Sequence, residues 1–116
     1  MFKVIALIPR KPGLTHEEFR NYYENNHAPL AVKHVPQFRG YIRNYISPIE
    51  GFEGEPPGYD AVVEFYYDSK EVWDEVSKQY LEGELGKVLI PDEETFMDRS
   101  RMQVLVAEEC PSDIGE

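Results

Sequence analysis

The sequence predicts a single α+β domain in which the unit strand–helix–strand occurs twice. Three observations carry this. Four stretches are rich in β-branched and aromatic residues. Two segments open on a capping side chain with a glutamate three residues later. A chain of 116 residues has room for one core of ordinary size.

The elements follow in order. Residues 2–8 are apolar on both alternating faces except at Lys3, which suits a strand buried on both sides. Arg10-Lys11-Pro12-Gly13 is a turn. Thr15-His16-Glu17-Glu18 reads as a capping box, with Thr15 as N-cap and Glu18 as the third helical residue. Phe19, Tyr22, Tyr23, Asn26, His27 and Leu30 follow at helical spacing. Pro29 has no N–H for the Asn25 carbonyl, and its ring would clash with it, so a kink or restart is expected just after His27.

Residues 38–48 form the second strand. Residues 50–58 are an acidic Gly/Pro-rich loop, expected to be mobile and dispensable to folding. The third strand covers 59–67. Asp68-Ser69-Lys70-Glu71 reads as a second capping box, opening a helix through Val72, Trp73, Val76 and Tyr80. Gly83 and Gly86 weaken its end. Residues 84–98 read as a short helix, then a new helix start at Pro91-Asp92-Glu93-Glu94. The last strand is 101–109. The domain is therefore 1–110, and 111–116 are a frayed tail.

The order βαββαβ is the ferredoxin-like arrangement, one antiparallel sheet with helices on one face. Phe2, Val4, Ala6 and Ile8 alternate with Ile5 and Leu7, and Tyr59, Ala61, Val63 and Phe65 with Val62 and Tyr66, so both faces are apolar and two helices leave one of them bare. A homodimer in which two sheets meet and close a barrel-like core would cover it.

Twelve bases against 22 acids give a net charge of −10, which argues against nucleic acid and anionic membrane surfaces as partners. The charge is uneven, with residues 1–43 at +4 and the remainder at −14. The lone cysteine, Cys110, allows no internal disulfide. No apolar run approaches the roughly 20 residues of a membrane span. A cytoplasmic protein is the expectation.

Three stretches in order resemble the EthD family of the dimeric α/β barrel superfamily. They are residues 10–19 (Arg-Lys-Pro-Gly-Leu-Thr-His-Glu-Glu-Phe), His27-Ala28-Pro29-Leu30, and residues 92–100 (Asp-Glu-Glu-Thr-Phe-Met-Asp-Arg-Ser). The resemblance implies the ferredoxin-like fold and the face-to-face dimer, hence a dimeric α/β barrel. Relatives are linked to dehydration, cyclisation or decarboxylation of aromatic polyketides. Others accompany ether degradation, and a muconolactone isomerase shares the architecture.

His27 occupies the family's histidine position, and its spacing turns it towards the sheet. Histidine titrates near neutrality, which suits proton abstraction beside a carbonyl. Its alternative is a structural role at the Pro29 kink. Tyr23, Tyr41, Tyr66, Trp73 and Phe96 are candidate walls of a pocket for a flat aromatic ligand; core packing is the simpler role of each. Asp92 and Asp98 lie in the matching third stretch. The resemblance implies that one of these carboxylates orients an imidazole; Asp98 is the candidate, and capping is the simpler role for Asp92.

No metal and no cofactor are expected. The histidines at 16, 27 and 34 have no ligand spacing, and no phosphate-cradling glycine loop exists. Haem-binding relatives use an Asn on the first strand and a His on the second helix, and this chain has neither. The expected activity is cofactor-free lyase, cyclase or isomerase chemistry on an aromatic or polyketide-like substrate, with His27 as general acid/base. The alternatives are a cofactor-independent monooxygenase on a phenolic substrate and a non-catalytic ligand-binding dimer.

Overall fold

A computed structural model describes residues 1–115. The strands are β1 (Phe2–Ile8), β2 (Gly40–Tyr45), β3 (Ala61–Tyr67) and β4 (Gln103–Ala107). They form one antiparallel sheet in the order β2-β3-β1-β4. This is the predicted ferredoxin-like order, with β2, β3 and β4 shorter than the apolar stretches implied.

The helices are α1 (His16–Tyr22) and α2 (Ala28–His34), joined by a π turn at Tyr23–His27, then α3 (Lys70–Glu82) and α4 (Glu84–Glu93). Thr15 and Glu18 make both bonds of the expected capping box. At α3 the cap sits one residue later than expected. Ser69 accepts from the Val72 N–H, so Val72 takes the position assigned to Glu71, and the reciprocal glutamate bond is lost.

The helix restarts just after His27, as expected, and the backbone stays helical through the change. The Ala28 N–H reaches back to the Tyr23 carbonyl, five residues away, and both His27 and Ala28 keep right-handed helical angles. The widened turn absorbs the N–H that proline lacks, and α2 restarts at Ala28 with Pro29 in its first turn. Residues 84–98 also differ from expectation. Pro91 lies inside α4, and Asp92 and Glu93 are the end of that helix rather than the start of another.

All helices pack on the face of Val4, Ala6, Ile8, Ala61, Val63 and Tyr67. One half of the core joins Ala6, Ile8, Ala61 and Val63 to Phe19, Tyr23, Phe96 and Met97. The other joins Val4 and Tyr67 to Ala31, Val35, Val76 and Leu89. The opposite face carries Ile5, Leu7, Ile42, Val62 and Leu105, because these alternate with the core residues in register. Ile42 is 47% exposed and Leu105 44%. A Lys3–Glu64 ion pair, 2.7 Å long, lies among them.

Residues 50–58 are exposed throughout and carry no strand or helix. Apart from a turn bond from the Phe52 N–H to the Ile49 carbonyl at its entry, the loop's one hydrogen bond to the domain among the described residues is at Gly58, whose carbonyl accepts from Arg101 Nη1. Shortening the loop within 50–57 should therefore leave the melting temperature nearly unchanged, since halving a loop alters closure by only about 0.6 kcal/mol. Differential scanning calorimetry checks this; a drop of several degrees would mean that the loop packs.

Candidate active site

The π turn decides where His27 points. Tyr23 and His27, four residues apart, are both turned inward, at 1% and 3% exposure. Their rings lie 5.5 Å apart, edge to face. Phe96, fully buried, packs on both, with centroids 5.2 Å from His27 and 5.3 Å from Tyr23.

Asp92 holds the imidazole from one side. Its Oδ2 is 2.8 Å from His27 Nδ1, and its Oδ1 accepts the Tyr22 hydroxyl at 2.6 Å. A carboxylate only accepts, so Nδ1 carries a proton, and in the neutral ring Nε2 is then the nitrogen with the lone pair. Beside that second nitrogen stands Glu93, with Oε2 3.6 Å away. The other carboxyl oxygen, Oε1, accepts from Tyr80 Oη and, at 3.0 Å, from Arg99 Nε. Burial pushes the Glu93 carboxyl above the usual range, against the pull of Tyr80, His27 and Arg99. The two carboxyl groups flank opposite nitrogens of the ring. Among the described residues no three His, Cys, Asp or Glu side chains converge as metal ligands.

A cavity of about 110 Å³ opens in front of these groups. Its polar lining is His27, Glu93, Tyr23, Tyr41, Tyr80 and Ser77. Tyr67 and Trp73 add a phenol and an indole, and most of the remaining wall is carbon, from Val4, Ala6, Phe38, Phe65, Leu89 and their neighbours. Val104, 47% exposed, lies on the lining at the β4 side. Tyr41 donates its hydroxyl to Tyr23 Oη at 2.8 Å. Burial raises both phenols well above their ordinary range, so each remains a hydrogen-bond donor.

Behind Tyr41, the Arg43 guanidinium lies 4.7 Å from its ring centroid and makes a two-pronged pair with Glu24, both bonds 2.9 Å. Tyr45 donates to the same carboxylate. The Arg43 guanidinium, chiefly, lowers the Glu24 carboxyl to about 2 from 4.5. A depressed folded-state value stabilises the fold above the unfolded value and loses that contribution as pH falls through the folded one. The stability gap between the parent and Glu24→Gln should therefore be full above pH 4.5 and close as pH falls towards 2. Urea titrations across that range check it; a gap independent of pH would contradict the pairing.

Of the residues singled out from the sequence, His27, Tyr23, Tyr41 and Trp73 line the cavity. Phe96 lies behind His27 rather than on the lining. Tyr66 is on the opposite face of the sheet, paired with Lys3 and Gly40, its hydroxyl 3.1 Å from Glu109. It is not a pocket wall, because strand alternation places it against Phe65 and Tyr67. Asp98 is also misplaced. It caps its own turn through Ser100 and Arg101, and Asp92 takes the position beside the imidazole. Sequence reasoning missed Glu93, Tyr80 as its partner, and Arg99. The sequence carried no signal for Glu93, because Pro91-Asp92-Glu93-Glu94 reads as a helix start, where acids are favoured.

The domain model that matches the sequence is the EthD domain, over residues 11–100. The chain belongs to the EthD family. No curated protein matches it in sequence. Solved structures agree in fold. An EthD family protein of Bacillus halodurans C-125 superposes with a TM-score of 0.67 at 24% identity, covering 95% of this chain and 100% of that one. An EthD-like protein of Ralstonia eutropha JMP134 gives 0.66 at 18% identity, with 99% and 96% covered. A protein of Arabidopsis thaliana gives 0.65 at 15% identity, with 98% and 100% covered. At these identities the likeness to this EthD protein is one of fold. Among the described residues no helix is long and apolar enough to cross a membrane.

Proposed function

We propose that this EthD protein is a cofactor-independent enzyme that enolises a small aromatic or β-keto substrate, with His27 as general base. The observation that carries the reading is the imidazole itself. Its Nδ1 is held by Asp92, and the ring lines a largely apolar cavity with Glu93 beside Nε2. Carboxylate-oriented imidazoles of this kind accept protons at the free nitrogen. The Tyr23 hydroxyl accepts from Tyr41, which leaves its own proton for a substrate oxygen. Dehydration, cyclisation, isomerisation and decarboxylation all pass through such an enolate.

Size narrows the substrate. A cavity of about 150 Å³ holds benzene. At about 110 Å³, with the half-exposed Val104 on its lining, this one suits nothing larger than a single small ring. A fused polyketide would need the cavity to expand. Exchange of the methyl protons of acetophenone in D₂O, followed by proton NMR, tests the reading. The protein should accelerate exchange above the buffer rate, and no acceleration at any pD would overturn it.

The bare sheet face supports a homodimer through Ile5, Leu7, Ile42, Val62 and Leu105. Obligate interfaces of this kind usually bury upwards of about 2,000 Å². Sedimentation equilibrium should return a dimer at micromolar concentration; a stable monomer would contradict it.

A further inference from the structure

We propose that Glu93 is the second proton-transfer group of the site, working opposite His27 on the same substrate. The inference rests on the enolisation reading and adds to it a residue and a role.

The geometry separates the two carboxyl oxygens. Oε1 is occupied by the Tyr80 hydroxyl and Arg99. Oε2 has no hydrogen bond, and neither does His27 Nε2, which lies 3.6 Å from it. That separation is too long for a hydrogen bond between them. Yet no buried side-chain nitrogen or oxygen among the described residues lacks a partner. Both atoms must therefore keep accessible surface, and both residues line the same cavity. A substrate in that cavity meets a base and an acid side by side.

Placement argues the same way. Glu93 ends α4, where the helix dipole disfavours a carboxylate, and it is only 6% exposed. A residue kept in so costly a position, with one oxygen held and the other open to the cavity, fits proton transfer. The charged and titratable groups around it are His27 from the π turn, Tyr80 from α3, Arg99 after α4, Asp92 on its own helix, and Tyr23 and, on β2, Tyr41 deeper in.

The step balances. His27 Nε2 takes a proton from the carbon beside the substrate carbonyl. The electrons of that C–H bond form the C=C bond of the enol. The carbonyl oxygen takes the proton of the Glu93 carboxylic acid. Imidazole and carboxylic acid become imidazolium and carboxylate, so the net charge of the buried site does not change. Arg99 and Tyr80 already stand where the new carboxylate needs donors. Return of both protons restores the starting state.

The test uses the acetophenone exchange assay on the full chain across pD. The parent should lose rate on the acid side as the base is protonated and on the alkaline side as Glu93 ionises. Glu93→Gln should slow exchange about 10²-fold or more, remove the alkaline limb, keep the acid limb and leave KM unchanged. Tyr80→Phe is the second variant should Glu93→Gln fold poorly. It removes a donor to the carboxylate and should move the alkaline limb to higher pD. Parent rate with both limbs intact in Glu93→Gln, or an unmoved limb in Tyr80→Phe, would overturn the role of Glu93. Exchange lost in His27→Gln but kept in Glu93→Gln would overturn Glu93 alone and leave the base standing. A parent that never accelerates exchange would overturn the enolisation reading and this inference together.

Discussion

Replacing Phe96 by alanine should lower unfolding stability by about 3–5 kcal/mol, the usual cost of deleting a buried phenylalanine ring. Phe96 is fully buried and sits where three elements meet. Its centroid is 5.5 Å from Phe19, 4.9 Å from Tyr22, 5.3 Å from Tyr23 and 5.2 Å from His27. Met97 and Met102 belong to the same core cluster, and their flexible side chains set how far the void can close. The same substitution also removes the wall behind the imidazole. Any activity should fall together with stability, because His27 would lose its fixed orientation. Guanidinium unfolding measures the first effect. A loss below about 1 kcal/mol would mean that the neighbouring rings collapse into the gap.

Replacing His27 by glutamine should leave the fold in place and lower enolisation by about 10²–10⁴-fold, the usual worth of a positioned general base. Glutamine retains a polar end near Asp92 and Glu93, so neither carboxylate is left against bare carbon. It cannot accept a proton at neutral pH. Tyr23→Phe should cost less, since Tyr41 would still present a hydroxyl to the cavity. Exchange kinetics with matched circular dichroism separate these outcomes. A His27→Gln protein that works at the parent rate would remove the base from the account and leave His27 as a buried member of the core.

Much of the fold was legible because local rules and the global pattern agree. The strand at Phe2–Ile8 needed only alternation, and the first helix needed only Thr15 and Glu18. His27 was legible from its spacing with Tyr23 and Leu30. The π turn was not, because periodicity cannot tell a clash at Pro29 relieved by breaking from one relieved by widening. The end of α4 misled for a physical reason. Proline followed by three acids is the chemistry of a helix start, and here it closes a helix. That reversal hid Glu93 and shifted the orienting carboxylate from Asp98 to Asp92. Tyr66 was an avoidable error, since the alternation that puts Phe65 on the core face puts its neighbour on the other.

The central claim is that a ligand occupies the cavity against the free nitrogen of His27. The most direct measurement is the ring-nitrogen NMR spectrum of the histidine-labelled protein during titration with acetophenone. Three histidines are present, at 16, 27 and 34, and only His27 lines the cavity. The account predicts a saturable shift of the His27 Nε2 resonance, with Nδ1 nearly fixed by Asp92 and the other two rings unchanged. A His27 ring that does not respond, or responds no more than His16 and His34, would contradict it.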